Sequence, residues 1–149
     1  MSLEEDIKQK KFKNLYDKLA VNILYTHSWL FGKLSNFLKE YDLTVPQYNV
    51  LRILRGQYPK TATINLIKER MLDKMSDASR LVERLKQKGL LERTTCEKDR
   101  RRADIIITEK GLKKLEELDS LDGELKYFFN DVSKQELEQI NNFLDKIRG

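Results

Sequence analysis

The sequence predicts a mainly α fold that carries one small β-hairpin wing. Three observations lead there. Apolar residues recur at helical spacing through most of the chain. One short segment after Gly89 switches to β-branched, strand-like runs. Only 2 Pro and 6 Gly interrupt 149 residues, which leaves little room for a flexible linker.

The elements follow in order. The first eleven residues are expected to fray, and a long helix then runs to about Glu40. Leu15, Leu19, Ile23, Leu30, Leu34, Phe37 and Leu38 form its apolar stripe. That stripe exceeds what one small lobe needs, so the surplus is expected to pack on a partner subunit. Thr44-Val45-Pro46-Gln47 reads as a capping box, in which Thr44 accepts from the N–H three residues on and Gln47 reaches back. Pro46 falls in the first turn, where its missing N–H costs little. Tyr48, Leu51 and Leu54 continue this helix, and Gly56 is its expected stop. After Tyr58-Pro59, Thr63 caps a short helix with Ile64, Ile67 and Met71 inward. A turn near Asp73 opens the next helix, which buries Ala78, Leu81, Val82 and Leu85. Two short helices and a tight turn before a basic helix is the helix-turn-helix order.

Gly89 ends that helix, because a left-handed residue after a helix is cheapest as glycine. Leu90 to Thr95 and Asp104 to Thr108 should pair as strands around a polar tip, Cys96 to Arg102. Thr108 then caps a helix carrying Leu112, Leu115, Leu118, Leu121 and Leu125, thickened at its end by Tyr127, Phe128 and Phe129. Ser133-Lys134-Gln135-Glu136 is a second capping box. The helix it opens spaces Leu137, Ile140, Leu144 and Ile147 like a helix–helix seam.

Charge is concentrated in one unit. Lys74 to Arg102 holds ten Lys and Arg against five acids, an excess of five that equals the net +5 of the whole chain. The remainder is balanced. A basic helix beside a basic hairpin suits a phosphate backbone, where each neutralised phosphate releases counterions. The window contains no Phe, Tyr or Trp, which argues against a single-stranded RNA reader.

Three segments in fixed order then point to a family. They are SRLVERLKQKGLLER (Ser79 to Arg93), DRR (Asp99 to Arg101) and IIITEKG (Ile105 to Gly111). Asp99 and Thr108 lie nine positions apart. In residues and spacing these resemble the winged helix-turn-helix of the MarR family of bacterial transcription regulators. The likeness extends more loosely over residues 1–149 as a single domain. It implies a winged helix-turn-helix DNA-binding lobe at 42–110, with N- and C-terminal dimerisation helices at 8–40 and 111–148.

The resemblance implies a homodimeric, sequence-specific regulator of double-stranded DNA, more often a repressor, on a pseudo-palindromic operator. A protein-interaction or architectural winged helix is the alternative. Ser76, Asp77, Ser79 and Arg80 are expected at base edges in the major groove, where Arg suits guanine and Ser donates or accepts. Asp77 would accept from a cytosine amino group or orient Arg80. Lys74 and Arg84 are assigned to phosphates, and Thr63 adds a backbone amide at a helix start. Arg101 falls at the family's wing-tip arginine, which enters the minor groove. Asp99 matches the aspartate that braces it, and Arg100 and Arg102 add positive charge. The family also implies a small aromatic or anionic effector in a crevice between the dimer helices and the lobe. Tyr25, His27 and Trp29 are the candidates to line it.

Other chemistry finds little support. The chain has one His (His27) and one Cys (Cys96), in different expected elements. A structural zinc typically needs four such ligands, and no glycine-rich phosphate loop occurs. No catalytic constellation and no cofactor are expected. Relatives that sense oxidants place a cysteine in the first helix, so Cys96 on the wing reads as an inert, partly exposed thiol. No run approaches the roughly 18 apolar residues of a membrane span. A single cysteine and a charged N-terminus without a signal pattern suit a cytoplasmic protein.

Overall fold

Side-chain oxygens set where six of the described helices begin. Asn14, Thr44, Thr63, Asp77, Thr108 and Ser133 each accept a hydrogen bond from a backbone N–H three residues on. Each thereby satisfies one of the donors that a helix start leaves without a partner. The computed structural model describes residues 2–95, 98, 99 and 101–149. Its elements are α1 (Leu3–Asp6), α2 (Leu15–Lys39), α3 (Val45–Gln57), α4 (Ile64–Arg70) and α5 (Ala78–Gln87). They continue as β1 (Leu91–Thr95), β2 (Ala103–Ile107), α6 (Glu109–Leu118), α7 (Leu121–Phe128) and α8 (Lys134–Arg148).

The strands pair antiparallel, from Leu91 opposite Ile107 to Thr95 opposite Ala103. Ala62, just before α4, adds an isolated bridge to Ile105, its N–H and C=O exchanging bonds at 2.7 and 2.8 Å. One apolar core lies beneath the hairpin. It joins Leu38 at the end of α2 to Leu51 and Leu54 of α3, Val82 and Leu85 of α5, and Leu115 of α6. Gly111 is fixed by space: a Cβ there would lie 2.3 Å from the Leu90 carbonyl oxygen and 2.6 Å from Ile107 Cγ1. Only glycine lets α6 approach the base of the wing this closely. Among the described residues, no helix is long and apolar enough to cross a membrane.

Four expectations need correction. The N-terminus is not frayed throughout: α1 carries a capping box between Ser2 and Glu5, buries Leu3, and pairs Glu4 with Lys18 of α2. Gly56 does not stop α3, which ends instead at Tyr58, whose ψ of 135° is the extended value forced on a residue before proline. The basic helix begins at Ala78, so Lys74, Ser76 and Asp77 lie before its first turn. The leucine-rich stretch after the wing forms two helices, α6 and α7, rather than one. At the break Asp119 reaches across to Arg55 at 3.1 Å, and the Ser120 hydroxyl donates to the Glu117 carbonyl. Such side-chain bonds compete with the helical ladder.

Candidate nucleic-acid interface

The turn into α5 is held by two aspartates. Asp73 accepts the Met75 N–H at 2.9 Å through one carboxylate oxygen and the Ser76 hydroxyl at 3.1 Å through the other. Asp77 caps α5, its carboxylate accepting the Arg80 N–H at 3.1 Å. The Asp77–Arg80 link is therefore to the backbone amide, not to the guanidinium. Lys74 turns back and donates to the Glu69 carbonyl at the end of α4. Ala78, Val82 and Leu85 bury one face of α5 completely. The helical period then leaves Ser79, Arg80 and Arg84 exposed.

The wing is braced through its backbone. Asp99 accepts the Arg101 N–H on a carboxylate oxygen and the Arg102 N–H on its carbonyl, both at 3.0 Å. The Arg101 side chain is left exposed. Arg102 instead leans on Asp104, with Nε 3.4 Å from the carboxylate. Arg100, Cys96 and Glu97 lie outside the described residues.

Wing and helix start share a cleft. Thr63, Asn65, Arg93, Asp99, Arg101 and Arg102 line an opening of about 500 Å³. Thr63 spends its hydroxyl on the Leu66 N–H. Arg93 and Asn65 escape sequence reading as site residues. The signal that gathers them is the Ala62–Ile105 bridge, which no local pattern announces.

The expected effector residues separate into two places. Tyr25 and Trp29 border a cavity of about 550 Å³ together with Glu4, Asp6 and Lys18. Trp29 also meets Phe128 and Phe129 edge-on, with centroids 6.4 and 6.3 Å away. His27 tilts against Phe31 at 5.9 Å. A larger crevice of about 730 Å³ opens between α2 and α5, bordered by Phe31, Asn36, Lys39, Arg84, Gln87 and Lys88.

Residues 41–102, from the end of α2 to the wing, match the MarR family. The transcriptional repressor IacR of Pseudomonas putida is 28% identical over 115 residues, which cover 76% of this chain and 68% of IacR. Over residues 41–102 the chain is thus similar to the MarR family. The relatives it resembles are transcription regulators of the helix-turn-helix type. The regulator SarZ of Staphylococcus aureus is 35% identical over 79 residues, and the match spans about half of each protein, 53% of this chain and 52% of SarZ. The fold agrees over nearly the full length. BpsR of Bordetella bronchiseptica superposes with a TM-score of 0.77 at 20% identity, covering 89% of this chain and 99% of BpsR. The shared fold thus extends beyond residues 41–102.

Proposed function

We propose that the chain is a homodimeric repressor that seats two copies of α5 in successive major grooves of a pseudo-palindromic operator. One observation carries this reading. α5 presents Ser79, Arg80 and Arg84 from a helix whose opposite face is fully buried, beside a wing cleft holding Arg93, Arg101 and Arg102. A rigidly backed basic helix and an arginine-lined wing give the two groove contacts that such a module needs.

The roles divide by chemistry. Ser79 and Arg80 read base edges, with Arg80 suited to guanine O6 and N7. Ser76 and Asp77 chiefly set the helix start. Arg84 and Lys74 meet phosphates, and Thr63 with Arg93 takes a phosphate at the cleft. Arg101 enters the minor groove, where a narrow A·T-rich segment concentrates negative potential. Arg100 and Arg102 add charge, and Asp99 holds the turn that aims Arg101.

A small aromatic anion modulates this binding from the crevice between α2 and α5. Phe31 supplies an apolar wall, Lys39 and Arg84 supply positive charge, and Asp42 on the same rim is paired by Lys88. BpsR, whose DNA binding is regulated by 6-hydroxynicotinic acid, shares the fold. The cavity beside Tyr25 and Trp29 carries Glu4 and Asp6 and suits an anion less well.

The test starts with duplexes selected from a random pool by the purified protein. Anisotropy titrations against a scrambled duplex, at several salt concentrations, should show a strong preference and a steep salt slope. Arg80→Ala should cost roughly 1–3 kcal/mol and relax base preference at one position. Arg101→Ala should weaken binding without changing that preference. A pool that never enriches would remove the repressor reading and leave an architectural or protein-binding winged helix.

A further inference from the structure

We propose that Lys88 is a positioning residue: its ammonium pins the C-terminal end of α5 to the end of α2, and it acts on DNA affinity without touching DNA. The inference rests on the DNA-binding reading above. Lys88 is the C-cap of α5, followed by Gly89 at φ +73°. Its Nζ donates to the Asp42 carbonyl oxygen, lies 3.3 Å from the Asp42 carboxylate, and reaches Gln47 Oε1 at 3.5 Å. An ammonium has three N–H donors. Two hydrogen bonds and the ion pair with the Asp42 carboxylate turn the ammonium inward, away from a phosphate.

The acceptors are chosen by the backbone. Leu43 N–H returns to the Leu38 carbonyl and Asp42 N–H to the Lys39 carbonyl, which closes the end of α2. Asp42 sits at φ +55° in that closure. Its carbonyl therefore stands at the negative end of a 25-residue helix, where a cation is favoured. Gln47 is 5% exposed, and its side chain also accepts the Thr44 N–H in the α3 capping box. From the other side, Lys110 of α6 donates to the Lys88 carbonyl at 2.9 Å. Lys88 thus joins the ends of α2 and α5, the start of α3 and α6 at one point. It also borders the crevice between α2 and α5. A displaced ammonium would free the groove-reading helix to tilt against the long helix.

The charge run alone makes Lys88 one more phosphate contact, and the two readings part in measurement. Full-length Lys88→Met and Asp42→Gly would each be titrated into the selected duplex and a scrambled duplex across a salt series. Glycine suits φ +55°, so Asp42→Gly removes the carboxylate and keeps the turn. Positioning predicts that Lys88→Met lowers the ratio of selected to scrambled affinity about fivefold, with an unchanged salt slope. Asp42→Gly lowers the same ratio by less. A phosphate contact predicts equal losses on both duplexes and a slope flatter by about one counterion, which would overturn the proposal. An unchanged ratio in both variants would overturn it as well. Should Lys88→Met fail to fold in a thermal melt, Asp42→Gly decides alone. Wild-type protein that prefers no duplex would sink the operator reading and is visible before either variant is made.

Discussion

The lobe between Leu43 and Leu118 and the long helices at either end meet the same demand for burial in opposite ways. α3 alone buries Val50, Leu51 and Leu54 to 1% exposure or less. α2, nearly twice as long, fully buries only Leu38, where it touches that lobe. α8 buries no residue at all. Its Ile140 is 50% exposed, and Leu15 at the far end of α2 is 82% exposed. Exposed leucine, isoleucine and phenylalanine in long register are not a finished surface. The lobe closes on itself, whereas the terminal helices leave apolar faces uncovered, and in the proposed dimer those faces are half of an interface. In function the first requirement is a rigid reader and the second is a second reader at a fixed distance.

The sharpest way to break the closed side is Gly111→Ala. The added methyl meets a backbone carbonyl and the root of Ile107, neither of which can swing away. Overpacking against fixed atoms should cost about 3 kcal/mol, read as a lower urea midpoint with unchanged m-value. Wild-type stability would show that α6 can retreat from the wing, and the closed-lobe description would be wrong.

The open side breaks differently. Ile140→Ala removes apolar surface that, in a dimer, is covered twice. The expected loss is about 2 kcal/mol for each copy, so sedimentation should show more monomer at micromolar concentration. The lobe should keep its structure in the monomer. If wild type is itself monomeric, or if Ile140→Ala dimerises as well as wild type, the exposed seam is not the interface.

Legibility in the sequence divides along the same line. Cap residues act over three positions, so Thr44, Thr63, Thr108 and Ser133 announced their helices correctly. The turn near Asp73 was legible, but the start of α5 was set too early because Lys74 to Asp77 continues a plausible polar helix face. The carboxylate of Asp73 wins those N–H and O–H groups for a turn instead. The break between α6 and α7 was hidden by leucines that keep helical spacing through Asp119. What bends the chain there involves Arg55, sixty-four residues away. Arg93 and Asn65 became site residues through a bridge between Ala62 and Ile105. α1 was missed because part of its support, the Glu4–Lys18 pair, comes from α2. Local chemistry was readable, and anything that needed a distant partner was not. The uncovered apolar stripe of α2 was an exception, since unmatched apolar surface shows in the count of residues before any partner is known.

The smallest expected effect tests whether α8 has local support besides the interface. The hydroxyl and backbone N–H of Ser133 both donate to the Glu136 carboxylate, at 2.6 and 2.8 Å. Those bonds hold its pKa below the usual carboxylate value. The folded pKa therefore lies below the unfolded one. The stabilisation is whole above the unfolded pKa and fades as pH falls through the folded pKa. Glu136→Gln keeps an acceptor for the box but removes the charge. It should melt slightly below wild type near about pH 7, and the gap should close as pH falls through the folded pKa. The comparison is best made in the Ile140→Ala background, where a proposed dimer would no longer support α8. A gap that persists at low pH would mean that Glu136 acts through packing or a partner contact. A gap that closes only in the monomeric background would mean that the cap matters where the second copy is missing.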